Sequence, residues 1–138
     1  MGFKTLSPSQ VTPITPVSKD VQVKAFTVSR TDTASAVKMI LPADASILYI
    51  LREGSVASNA ATTATVTITV ADNTSTLSTK ADDVKTSGAT TGFVGMTSLP
   101  NLEPLPLNGD LTISAVYAET GTASTTGGPW NYIVAFVR

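Results

Sequence analysis

The stretch TTATVTITV (62–70) alternates strictly. Ala64, Val66, Ile68 and Val70 fall on one side, and Thr63, Thr65, Thr67 and Thr69 on the other. A period of two marks a β-strand with one face buried, because successive side chains point to opposite faces. Thr is β-branched and suits the solvated face of such a strand. No run in the chain shows sustained helical spacing, so the fold must be assembled from strands.

Other runs join it. VQVKAFTV (21–28) alternates imperfectly: Val21, Val23 and Ala25 share one side, while Phe26 falls with Gln22 and Lys24 on the polar one. AVKMIL (36–41) follows a polar turn and is closed by Pro42. SILYILRE (46–53) is apolar on both sides and reads as a buried central strand. LTISAVYA (111–118) places Leu111, Ile113, Ala115 and Tyr117 on one face. PWNYIVAFVR (129–138) is again apolar on both faces, as expected inside a sheet or against a partner. Between them, TLSTKADDVKTSG (76–88) reads as a short strand and then a helical turn at 81–86, and TGFVGMTSL (91–99) as a strand broken by Gly95. About eight short strands separated by turn signals predict an all-β antiparallel sandwich of jelly-roll type.

Residues 1–20 read as an extended arm preceding a single β-sandwich domain at 21–138. Pro8, Pro13 and Pro16 punctuate the arm. Proline fixes φ, removes a donor and pushes its predecessor out of helical space. PITP (13–16) also fits the PxxP pattern, which is short enough to recur by chance. An arm laid over its own domain or over a neighbouring subunit is the preferred reading.

Two connections are long and alike. EGSVASNAATT (53–63) and ETGTASTTGG (119–128) both open with Glu and a nearby Gly, and both are rich in Ala, Ser and Thr. Hairpin loops commonly have two to five residues, and loops near ten tend to be functional. Both loops are expected to project from one end of the domain. Gly127 and Gly128 supply positive φ for the turn into Pro129.

Composition narrows the function. Charged residues make up 14% of the 138-residue chain, against about 25% in ordinary domains. The polar surface is therefore largely Thr, Ser and Asn. Such a surface fits an ordinary Thr-rich β-protein, and equally one largely covered by a partner. Nine basic and ten acidic residues give a net charge of −1 with no basic cluster, so no nucleic-acid partner is expected. The longest apolar stretches, residues 47–51 and 132–137, are far short of a membrane span, and MGFKTLSPSQ contains no apolar run of the secretory kind. The absence of cysteine is compatible with a reducing cytoplasm.

Candidate chemistry is sparse. With no His in the chain, a Ser-His-Asp arrangement is impossible. Asp82 and Asp83 are the only adjacent carboxylates, and neighbours on a strand point apart. ADNTS (71–75) reads as a tight turn rather than a calcium loop. No cofactor, metal, catalytic residue or small-molecule substrate is expected. Trp130, the only Trp, has two readings: a core anchor or subunit-interface residue, which is favoured, or an exposed platform for a sugar.

PLNGDLTISAVYAETGTASTTGGPWNYIVAFVR (106–138) resembles the C-terminal end of small structural proteins of tailed bacteriophages, usually head decoration or cement proteins. The resemblance rests on Gly109-Asp110, Tyr117-Ala118-Glu119, Gly127-Gly128-Pro129-Trp130 and Val137-Arg138. LPADASILYILREGSVASNAATTATVTI (41–68) is similar to the same group in its Leu-Pro-Ala and its loop-and-strand ASNAATTATV. The resemblance implies a β-sandwich that assembles as a homotrimer on the outer surface of a phage head, bridges major capsid protein subunits and performs no catalysis. It implies a virion location, with synthesis in the host bacterial cytoplasm. The contacts then expected are the arm at Pro8, Ile14 and Pro16, the loop at Asn59, and the loop at Thr122, Ser124 and Thr126, with Trp130 behind it. The alternative is a tail-fibre or carbohydrate-binding module, with Trp130, Tyr132 and Tyr117 exposed at a groove.

Overall fold

The computed structural model describes residues 20–96 and 109–138. Among these residues, eight strands divide between two four-stranded antiparallel sheets: β1 (Gln22–Val28), β2 (Ala36–Leu41), β3 (Ser46–Arg52), β4 (Thr63–Ala71), β5 (Thr76–Asp83), β6 (Gly92–Phe93), β7 (Leu111–Thr120) and β8 (Trp130–Val137). The first sheet has the order β1-β8-β3-β6 and the second β2-β7-β4-β5. Pairing is antiparallel between β1 and β8, β2 and β7, β3 and β6, and β4 and β5. The two antiparallel sheets face each other across a shared core. This is the all-β antiparallel sandwich that the strand patterns predict.

The core lies between the sheets. From the second sheet come Leu41, Val66, Ile68, Val70, Leu111, Ile113 and Tyr117. From the first come Val28, Ile50, Trp130, Tyr132, Val134 and Phe136. Strand β4 buries Ala64, Val66, Ile68 and Val70 and leaves its Thr residues on the outer side, as its alternation requires. The turn at 71–75 is closed by Asp72, whose Oδ1 accepts the N–H groups of Thr74 at 2.9 Å and Ser75 at 2.8 Å.

Two local expectations are corrected. No helical turn forms at 81–86. β5 continues through Asp83, and a turn follows in which the Asp83 Oδ1 accepts from the Lys85 and Thr86 N–H groups, each at 2.9 Å. These bonds, led by the one from Thr86, hold the Asp83 carboxyl below its usual value. On β1 the expected faces are reversed. Phe26 and Val28 are buried, whereas Val21 and Val23 are 59% and 58% exposed. Phe26 points inward because its pairing partner across the ladder is Tyr132, and their rings stack at 5.3 Å.

One buried charge pair ties the sheets together. Arg52 on β3 forms an ion pair with Asp82 on β5, and both are nearly inaccessible. The Tyr132 hydroxyl donates to Asp82 Oδ2 at 2.8 Å. Arg52 also donates to the carbonyls of Ser87 at 2.8 Å and Thr90 at 3.2 Å, fixing the loop between β5 and β6. Burial, reinforced by the Asp82 charge, pushes the Tyr132 phenol far above its usual range, so it stays a donor.

Candidate interaction surfaces

Residues 53–63 and 119–128 lie side by side at one end of the sandwich. The Asn59, Ala61 and Thr62 N–H groups donate to the carbonyls of Thr126, Thr122 and Thr120, at 3.2, 3.1 and 3.1 Å. The Gly128 N–H donates back to Val56 O at 2.8 Å. The two loops therefore behave as one extra layer of irregular ladder. Gly127 has φ of 140°, and a Cβ there would stand 2.8 Å from Ser58 Cα, so only glycine allows the loops this close. Asn59 is the clasp. Its Oδ1 accepts from the N–H groups of Thr125 at 2.8 Å and Thr126 at 3.0 Å, and its Nδ2 donates to Thr125 Oγ1 at 2.9 Å.

A hydroxyl cluster lies beneath the clasp. The Tyr117 hydroxyl donates to Glu119 Oε2 at 2.6 Å and lies 2.8 Å from Ser58 Oγ and 3.2 Å from Ser124 Oγ. Glu119 also accepts from the Ser124 N–H at 3.1 Å, while Arg30 Nη1 donates to Ser124 O at 2.6 Å. Hydrogen bonding from Ser124, and then from Tyr117, holds the Glu119 carboxyl below its usual value. Ser58 and Ser124 are buried and their hydroxyls already bonded. The arrangement fixes loop shape; it offers no exposed nucleophile.

The structure separates the residues singled out in the sequence. Asn59, Thr122 and Thr126 sit together, exposed, on the paired loops. Ser124 does not join them: it is turned inward onto Glu119 and Tyr117, so it is corrected from a contact residue to a loop anchor. Trp130 is likewise corrected as a contact. It is fully buried, stacked on Tyr117 with ring centroids 5.7 Å apart, which leaves the core reading. Pro8, Ile14 and Pro16 lie outside the described residues.

A surface that the sequence reading did not single out lies on the outer face of the first sheet. Residues paired across an antiparallel ladder share a face. One outward row is therefore Val23, Ala135 and Tyr49, and the next is Ala25, Ile133, Leu51 and Phe93. Phe93 is 71% exposed and meets Tyr49 edge-on at 5.4 Å. Ala135 and Val137 are buried yet stand apart from the core cluster. The apolar rows end at Thr27, Asn131 and Glu53. Here Thr27 Oγ1 donates to Asn131 Oδ1 at 2.7 Å, and Asn131 Nδ2 donates to Glu53 Oε2 at 3.0 Å. These residues line a shallow, open groove with Gly54, Ser55 and Pro129. The signal was present in the two-faced runs of β3 and β8 and in the Val21, Val23, Ala25 series. The outer face of the second sheet is mixed: one row runs Val37, Ser114, Thr69 and Thr79, the next Val116, Thr67 and Ala81, and Val37 and Ile40 are exposed at its edge.

No protein-family model matches the chain, and no curated protein matches it. Among solved structures, a chain of the cyanophage Pam1 capsid asymmetric unit is similar, with a TM-score of 0.55 and 17% sequence identity. The likeness covers 98% of this chain and 99% of that one, so the two are nearly equal in length. At that identity the shared property is the fold.

Proposed function

We propose that this chain is a bacteriophage capsid decoration, or cement, protein. It binds the outer surface of the head as a homotrimer, bridges major capsid protein subunits and stabilises the shell. The observation that carries this reading is the end-to-end likeness to a chain of a cyanophage capsid asymmetric unit. The pairing of β1 with β8, β2 with β7, β3 with β6 and β4 with β5 is, on this reading, a jelly-roll winding.

The surfaces support the same role. The paired loops give a rigid, neutral platform of Thr and Asn, whose desolvation against a protein costs less than that of charged groups. Many modest contacts, repeated by shell symmetry, add up without any single tight site. The reading includes no catalytic step. The carbohydrate-binding alternative requires Trp130, Tyr132 and Tyr117 at an open groove, and all three are buried.

The test is to add purified protein to undecorated heads and measure co-sedimentation and resistance to heat or chelation. Saturable binding at micromolar concentration, with delayed rupture, is expected. Failure of correctly assembled protein to bind the head would overturn the proposal.

A further inference from the structure

An open sheet ends in strands whose outer backbone groups lack a partner, and another chain can pair with them. Among the described residues the edges are β1 and β6 in the first sheet and β2 and β5 in the second. The hazard is plain in β1. VQVKAFTV (21–28) has no Pro or Gly, is rich in strand formers and carries a single charge. Val21 and Val23 are exposed on it, as Val37 and Ile40 are on β2.

Each of the three longer edge strands contains one lysine: Lys24 on β1, Lys38 on β2 and Lys80 on β5. Lys24 pairs across the ladder with Val134 and Lys80 with Ile68, both fully buried in the core. Paired residues share a face. Both lysines therefore leave their strands on the core side and reach solvent at the rim of the sandwich, where they are exposed. Lys24 Nζ lies over the Phe136 ring, 6.0 Å from its centroid. Lys38 acts differently. Val37 pairs with Ser114 and Met39 with Ile113, so Lys38 is the extra residue of a bulge that breaks the regular edge. Its Nζ is 3.2 Å from Asp32 Oδ2. The fourth edge, β6, is two residues long, and β3 beyond it has its own register shift between Ile47 and Tyr49.

We infer that Lys24, Lys38 and Lys80 keep the sheet edges of this chain unpaired, so that copies and partners meet it only through its faces and loops. A strand added beside β1 or β5 would carry the sheet past the lysine and close the rim over it. Neither Lys24 nor Lys80 has an ion-pair partner among the described residues. Taking an unpaired ammonium out of water costs more than the new ladder bonds return, because each of those bonds only replaces one made to water. At β2 the bulge spoils the register that a partner strand would need. Applied to the homotrimer proposed above, this excludes a sheet continued from one copy into the next. It also explains how a chain with such apolar edges stays discrete.

The test uses purified protein without heads, so its outcome is separate from whether the protein decorates them. Lys24→Thr/Lys80→Thr takes the formal net charge from −1 to −3 (−1 − 2), which by itself favours solubility. The variant is nevertheless expected to form large, thioflavin-binding assemblies at micromolar concentration, read by sedimentation. Lys24→Arg/Lys80→Arg and Lys24→Glu/Lys80→Glu keep a charge at each rim and should keep the native mass of the unaltered protein. A Thr variant of unchanged mass, or Arg and Glu variants that assemble equally, would overturn the inference. A second measurement needs no substitution. The N–H groups of an edge strand point alternately toward its partner and away from it. Hydrogen exchange of the unaltered protein should therefore show protection at every second amide along residues 23–27 and 78–82. Unbroken protection along either stretch would mean a paired edge and would also overturn it.

Discussion

Removing Arg52 exposes how the two sheets are held together. Its side chain is buried beside Asp82 and donates to two loop carbonyls, those of Ser87 and Thr90. In Arg52→Ala the Asp82 carboxylate keeps the Tyr132 hydroxyl, at 2.8 Å, as its donor among the described residues. Breaking a buried pair by deleting one partner costs about 3–5 kcal/mol, most of it the penalty of an uncompensated buried charge. That is a large part of the roughly 5–15 kcal/mol by which domains are stable. For a chain of this size it corresponds to a fall in Tm of about 10 °C or more. The decisive comparison is Arg52→Met/Asp82→Asn, in which the charge is gone but Tyr132 still finds an acceptor. Calorimetry or denaturant titration should show the double variant recovering about 2 kcal/mol relative to Arg52→Met alone. A loss below about 1 kcal/mol in Arg52→Ala, or a double variant no more stable than the single one, would refute the assignment of a buried, interdependent pair.

Three further outcomes are expected. Asn59→Ala removes the acceptor for two loop N–H groups and should cost about 1–2 kcal/mol, with faster hydrogen exchange at Thr125 and Thr126; Asn59→Asp, which keeps the acceptor, should lose less. The folded-state pKa of Glu119 lies below its ordinary 4.5, so its stabilising contribution is complete above that pH and is lost as pH falls through the lower folded value; Glu119→Gln should therefore flatten the acid limb of a Tm-against-pH curve, and an unchanged limb would contradict the bonding described. Trp130 is fully buried and its Nε1 has no partner among the described residues. Its emission should accordingly be blue-shifted and unaffected by added sugars, and Trp130→Phe should cost much less than the roughly 3–5 kcal/mol of Trp130→Ala.

The candidate surfaces were legible in part. The lengths and compositions of residues 53–63 and 119–128 marked them as paired features, and Asn59 was singled out with them. The inward turn of Ser124 was not legible, because it depends on where Glu119 and Tyr117 stand after β7 has paired with β4. The apolar outer face was visible only as an unexplained excess of hydrophobic residues in β3 and β8. A strand that is apolar on both faces reads as buried, and sequence alone cannot say whether the second face meets its own chain or another.

Strand positions and the all-β class were set by the sequence itself. Period two in residues 62–70 fixes which residues share a face, since that follows from backbone geometry within one strand. Asp82 and Asp83 obey the same rule only because β5 runs on through Asp83, where a helical turn was expected: Asp82 is buried and Asp83 exposed. Which face became the core was decided only by tertiary structure. Phe26 turned inward against Tyr132, and Arg52 was matched with Asp82, through ladders and layers joining residues 106 and 30 positions apart (132 − 26 and 82 − 52). Alternation says which side chains stand together. What they stand against is settled when distant strands choose their partners, because the free energy of burial belongs to the closed sandwich and not to any strand alone.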